Sequence, residues 1–249
     1  MVSLGVIEKT ENGYRTIARI TRNMRMRGNL PFSYLADNTR WVRKAQAYTG
    51  IVGFLDEVQA LYRRDFLNES EVYIEIWSEK DAIASLLAEV AYRYDVPVMV
   101  NRGYSSITFL FNAARTIESI GKPTFIYYFG DSDPSGKDIE RDTASKLKAF
   151  APRAEIHFIR AAVTDSQIEK WRLPTRPGKA TDSRAKKYGG PIVEVDAIPS
   201  DMLKALVEEL VASHIDEYKF YRLRETEEME RSLIESYFQQ IKNFERESA

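Results

Sequence analysis

Asp131 and Asp133 stand two residues apart in YYFGDSDPSG (127–136), where an apolar, aromatic run gives way to acid, proline and glycine. Glu79 follows a similar run, VYIEIW (72–77), in the order Ser78, Glu79, Lys80. Carboxylates that converge repel one another unless a cation lies among them. Magnesium suits such a set, because it takes a few carboxylates and completes its shell with water and substrate phosphates. Alternate residues of a continuing strand point to one side, so Asp131 and Asp133 can face the same ion. Taken alone, DSDPSG also suits a plain turn, with Ser135 capping a following helix. The two acid-ended runs together favour a metal site over a plain turn.

Those carboxylates need a scaffold that brings separate strand ends together. From residue 72 the pattern alternates: strands at VYIEIW (72–77), VPVMVN (96–101), PTFIYYFG (123–130) and EIHFIRAAV (155–163), with helices at 80–95, 105–121 and 135–151. This order predicts an α/β fold, a parallel sheet flanked by helices. The continuous apolar runs fit strands covered on both faces. Ligands of such sheets bind beyond the carboxyl ends of the strands. If the first and third strands are neighbours, Glu79, Asp131 and Asp133 share one rim. Lesser candidates are Glu75, Asp81 and the alternating pair Glu194 and Asp196, which lie on a further predicted strand at 192–198.

The flanking regions differ in character. Residues 1–64 hold eleven Lys/Arg against five Asp/Glu, and the remainder 25 against 32, so the net charge of −1 conceals a basic N-terminal region. A helix predicted over 12–28 puts Arg15, Arg19, Arg22 and Arg25 on one face, which suits a phosphate backbone. A second helix is expected over 51–66. RLPTRPGKATDSRAKKYGG (172–190) carries Arg172, Arg176, Lys179, Arg184, Lys186 and Lys187 against one Asp, a second expected DNA contact. Residues 200–218 and 225–245 read as helices, the latter with a narrow stripe of Met229, Leu233, Tyr237 and Ile241. The chain has no cysteine and two histidines. Disulfides, thiolate sites and a cysteine nucleophile are thereby excluded, and a multi-histidine zinc site is disfavoured. No apolar run approaches the roughly 18 residues of a membrane span, and the first residues do not read as a signal peptide. A cytoplasmic location is the expectation, with association with the nucleoid left open.

IEIWSEKDA followed by FGDSDPSGKDI resembles the Toprim domain, in the form found in the DNA-cleaving chain of topoisomerase VI and its bacterial and prophage relatives. The likeness covers roughly residues 70–163, with Glu79 matching the family's glutamate, Asp131 and Asp133 its paired aspartates, and Pro134 and Gly136 the flanking positions. It implies a magnesium or manganese site at Glu79, Asp131 and Asp133 that handles a DNA phosphodiester, in a dimer that works with a separate ATPase chain. It also implies three regions: a basic, partial winged-helix region at 1–69, a Toprim core at 70–165, and a basic loop, an extra strand and C-terminal helices at 166–249. The family's tyrosine nucleophile has no match here. Tyr14 and Tyr34 sit outside its motif, as if the first helices of the winged-helix region were missing. Two alternatives stay open: a nuclease that activates water, and a non-catalytic DNA-binding module of phage or plasmid origin.

Overall fold

The computed structural model describes residues 10–34, 44–176 and 191–248. The chain divides into two compact units, Met1–Tyr62 with Glu228–Ala249, and Arg63–Glu227. The smaller contains α1 (Glu11–Met26) and α2 (Ile51–Leu61). The larger contains α3 (Phe66–Glu69), β1 (Tyr73–Ser78), α4 (Asp81–Ala91), β2 (Val98–Val100), α5 (Ile107–Ile120) and β3 (Thr124–Phe129). It continues through α6 (Pro134–Phe150), β4 (Ile156–Ala162), α7 (Asp165–Trp171) and α8 (Ser200–Ala212). The last helix, α9 (Glu217–Ser248), begins in the larger unit and ends in the smaller.

The four strands form one parallel sheet in the order β2-β1-β3-β4. The protein is therefore α/β, as the alternation predicts, and β1 and β3 are neighbours. Both faces are covered. Ile74, Ile76, Tyr127 and Phe129 pack with α4 and α8, while Trp77, Ile126 and Tyr128 pack with α5 and α6. Trp77, Tyr128 and Phe129 are fully buried, each contributing on the order of 2–3 kcal/mol through removal from water. The chain leaves β1 for β2 on one side and β3 for β4 on the other, so β1 and β3 flank the point where strand order reverses. A crevice opens at the carboxyl ends of such a pair.

Local signals set the helix ends. Ser106 Oγ accepts from Phe109 N–H to cap α5, and Gly121, at φ 69°, closes it in the left-handed conformation. Asp133 Oδ1 accepts from Gly136 N–H at 2.7 Å to cap α6, and Pro134 takes the first helical position. The cap is thus Asp133 rather than the expected Ser135.

Three expectations are corrected. Residues 192–198 are not a strand: Val193 and Ile192 make single antiparallel bridges to Ser132 and Arg176, and Val195–Ala197 turn as a 3-10 helix. The ladder stops because Asp131 Oδ1 takes Val195 N–H at 2.8 Å, while Ala197 N–H turns back to Glu194 O. The helix expected over 51–66 ends at Leu61, and α3 starts separately behind Asp65, whose side chain caps it. The C-terminal helix begins eight residues earlier than its charge pattern suggests, at Glu217.

Among the described residues the smaller unit holds helices and no strand. Thr10 caps α1, which buries none of its residues. Tyr62 Oη donates to Glu230 at 2.6 Å, and Arg231 donates to the Tyr62 carbonyl at 2.6 and 3.0 Å, tying the end of α2 to α9. No helix among the described residues is long and apolar enough to cross a membrane.

Candidate functional site

Register sets the rim. Trp77 pairs with Met99 and with Tyr128, and Ser78 pairs with Val100 and with Phe129. One step further, Glu79 N–H donates to Phe129 O at 2.9 Å, and Gly130 N–H donates to Ala162 O at 2.8 Å. Glu79 and Gly130 therefore lie side by side where the strands end. The Glu79 carboxylate leans across Gly130, its Oε2 accepting from Asp131 N–H at 3.1 Å and from Tyr128 Oη at 3.2 Å. A Cβ on Gly130 would overlap the Tyr128 ring and stand 2.9 Å from that carboxylate oxygen. A Cβ on Gly136 would overlap the Asp131 carbonyl oxygen and stand 3.4 Å from the same Glu79 oxygen. Both glycines are needed by close approach, and they bring the two acidic turns together.

Asp131 faces the other way. Its Oδ1 accepts from Val195 N–H, and its Oδ2 lies 3.2 Å from Lys80 Nζ. Lys80 also reaches Glu194 at 2.7 Å and Asp196 at 3.3 Å, and Arg176 pairs with Glu194. Glu194 and Asp196 thus join the Asp131 side of the rim instead of forming a site of their own. The loop bearing Gly130, Asp131 and Gly136 is held by Arg160. Its guanidinium donates to the carbonyls of Gly130 and Asp131 at 3.1 Å and of Gly136 at 3.4 Å, and pairs with Glu140 at 2.6 Å. Arg160 carries no motif of its own in the sequence, and Lys80 lies in the Glu-Lys-x-Ala stretch that carries the resemblance. Arg160 sits inside an ordinary strand pattern.

The electrostatics follow from this packing. Burial, then the charge of Asp131, pushes the Glu79 carboxyl above its ordinary range, against the hydrogen bonds from Asp131 N–H and Tyr128. Burial likewise pushes Asp131 up, outweighing the pull of Lys80 and the Val195 N–H. For Lys80, burial alone would lower the ammonium pKa, but Asp131, Glu194 and Asp196 together raise it. Because the folded state binds the Glu79 proton more tightly than the unfolded chain does, the stabilisation is full below the ordinary carboxyl value. It is lost as pH rises through the folded value. Glu79→Gln is therefore expected to raise the urea midpoint of the metal-free protein at pH 7 and to leave it unchanged at pH 4. A lowered midpoint at pH 7 would contradict a Glu79 carboxyl pushed up by burial and by Asp131.

Compared with known proteins, the chain matches no family model and no curated protein.

The predicted residues separate into groups. Glu79, Asp131 and Asp133 come to one rim, with Asp133 committed through one oxygen to the cap of α6. Among the described residues no three acidic or histidine side chains form a closed metal-ligating group. The Asp131 charge disfavours the Glu79 carboxylate, a repulsion that an ion taking few protein oxygens would relieve, and Gly136 lets the Glu79 oxygen come up against the Asp131 turn, while the Asp131 carboxylate itself is held by Lys80 and Val195. Glu75 is in the core, 2 % exposed, accepting from Trp77 Nε1 at 2.6 Å. Asp81 starts α4 and pairs with Arg102 at 2.9 Å.

On α1, Arg15 pairs with Glu11 at 2.5 Å, and Arg25 donates to Phe32 O and lies 4.5 Å over its ring. Arg19 and Arg22 are exposed. Lys179, Arg184, Lys186 and Lys187 lie outside the described residues; Arg176 is the part of that loop seen at the rim. A cleft of about 730 Å³ lined by Arg64, Phe66, Val72, His214 and Arg222 lies by the amino end of β1. It is not part of the rim.

Proposed function

We propose that this chain is a magnesium-dependent, DNA-acting protein of the Toprim class that handles a phosphodiester at the Glu79–Asp131 rim. The observation that carries this reading is the convergence of Glu79 and Asp131 from adjacent parallel strands, each with its carboxyl group pushed up by burial. Glu79, Asp131 and Asp133 would hold the ion. When bound, magnesium or manganese neutralises phosphate oxygens and stabilises charge on the attacking or departing oxygen. The protein's own groups prepare the place. Tyr128 and Asp131 N–H orient the Glu79 carboxylate, Arg160 fixes the turn after β3, and Lys80 brings a positive charge to the same rim. The exposed Arg19 and Arg22 of α1, with Arg15, supply sequence-independent attraction to a DNA backbone. Arg176 and the loop it begins supply more. In the enzyme reading the nucleophile is either a tyrosine or water.

One observation favours a second reading. Lys80 already lies among Asp131, Glu194 and Asp196, so these acids are compensated without a metal. A non-catalytic DNA-binding module that keeps the fold as scaffold needs nothing more.

Incubation of the full chain with supercoiled plasmid, with and without magnesium or manganese, separates the readings. Metal-dependent nicking or relaxation that disappears in Glu79→Gln is the expected result. Protein covalently joined to DNA ends identifies tyrosine chemistry, and free ends identify water. DNA binding with no cleavage at any metal concentration establishes the module and overturns the enzyme reading.

A further inference from the structure

Asn101 follows β2 and is 4 % exposed, yet neither its Oδ1 nor its Nδ2 has a hydrogen-bond partner. The nearby Ser105 Oγ is buried and equally unpartnered. Burying both ends of a carboxamide without a partner is costly, and native proteins rarely leave it so. Asn101 N–H donates to Ser78 O at 3.0 Å, which carries the β2–β1 ladder one residue past Val100. Asn101 thereby stands beside Glu79, as Glu79 stands beside Gly130. Two residues before it, Met99 packs against the cluster that contains Trp77 and Tyr128, so alternation puts the Asn101 side chain on the face towards which Glu79 leans.

The loop that follows is pinned. Arg102 adopts φ 24° and pairs with Asp81, Gly103 adopts φ 78°, Tyr104 Oη donates to Asp138 of α6, and Ser106 caps α5. An orphaned amide beside the acidic rim, on a loop tied to the helices at both sides, has the form of a prepared contact. A carboxamide needs opposite partners at its two ends, a donor for Oδ1 and an acceptor for Nδ2–H. A phosphate alone offers only acceptors, and the water on a divalent cation offers only donors. A hydrated divalent cation carrying a phosphodiester offers both.

We propose that Asn101 and Ser105 are positioning residues on the β2 side of the rim, with Asn101 Oδ1 receiving a cation-bound water and its Nδ2 donating to a phosphodiester oxygen. This rests on the reading of Glu79 and Asp131 as a divalent-metal site. The test is calorimetric titration of the full chain with Mn²⁺, in parallel with thermal unfolding in chelator, for wild type, Glu79→Gln, Asn101→Leu and Ser105→Ala.

Removing an outer contact of a metal site weakens affinity by roughly 10–100-fold, and Asn101→Leu is expected to fall in that range. With no metal, the same substitution is expected to raise the melting temperature, because an unpaired amide is replaced by an apolar group of similar size. An affinity within about twofold of wild type, well short of that range, overturns the proposal. So does a fall in metal-free melting temperature with affinity unchanged, the signature of a buried structural water. If Asn101→Leu does not fold, Ser105→Ala decides: weaker Mn²⁺ binding supports the proposal, and unchanged binding overturns it. The underlying metal reading fails in a different way. Wild type and Glu79→Gln then bind Mn²⁺ equally or not at all, and the inference falls with it.

Discussion

Asp131→Asn is expected to lower metal-dependent DNA cleavage by roughly 100-fold or more, the scale at which a charge-stabilising group is missed at a reacting centre. It is also expected to raise the urea midpoint at pH 7, because burial outweighs the pull of Lys80 and the Val195 N–H and the folded state carries the Asp131 charge at a cost. Asp131 accepts from Val195 N–H through one oxygen and holds Lys80 through the other, so it is both a rim carboxylate and the clamp of the 191–198 segment. Asparagine still offers an acceptor to Val195 N–H, and Lys80 retains Glu194 and Asp196, so relief of the buried charge is not offset by lost contacts. Cleavage that survives this substitution would remove Asp131 from the site, whatever happens to stability.

Gly136→Ala is the second large effect, and its sign is unusual. Alanine in a helix is ordinarily better than glycine by about 0.5–1 kcal/mol. At Gly136 the added Cβ would overlap the Asp131 carbonyl oxygen, a backbone atom that Arg160 also holds. The expected outcome is destabilisation of about 1–3 kcal/mol, the range for overpacked positions, accompanied by loss of metal binding as the Asp131 turn is displaced from Glu79. Gly53→Ala in α2 is the control: the added Cβ would meet Thr49 Oγ1 at an ordinary 3.9 Å, and the substitution is expected to stabilise. Urea unfolding of the two variants beside wild type checks both signs. A neutral or stabilising Gly136→Ala would mean that the approach of the two turns is looser than described.

Much of the scaffold is legible in residue patterns, because helix and strand periods and their caps are local. The apolar runs VPVMV and FIYYF end as strands of the sheet, and Gly121 closes α5 where its position after an amphipathic stretch indicates. The failures have local causes too. IVEVDAI has the alternation of a strand, but its backbone donors go to Asp131 and to its own turn, a competition that no alternation pattern displays. The break at Tyr62–Asp65 is hidden because apolar spacing continues across it, while Asp65 works as a cap.

The composition and order of the residues determine that this is an α/β protein, with acid at the ends of β1 and β3 and a basic N-terminal region. These follow from short-range periodicity and charge. Which acids meet, and what meets them, depends on the packed chain. Glu79 turns towards Tyr128 and Asp131 N–H, while Asp131 turns to Lys80 and Val195. Glu194 and Asp196, far beyond Asp131 along the chain, complete its side of the rim, and Asn101 arrives beside Glu79 from a third strand. Contacts between residues so far apart in sequence are set by strand register and by which face each helix covers. Neither quantity is written in the spacing of any single stretch.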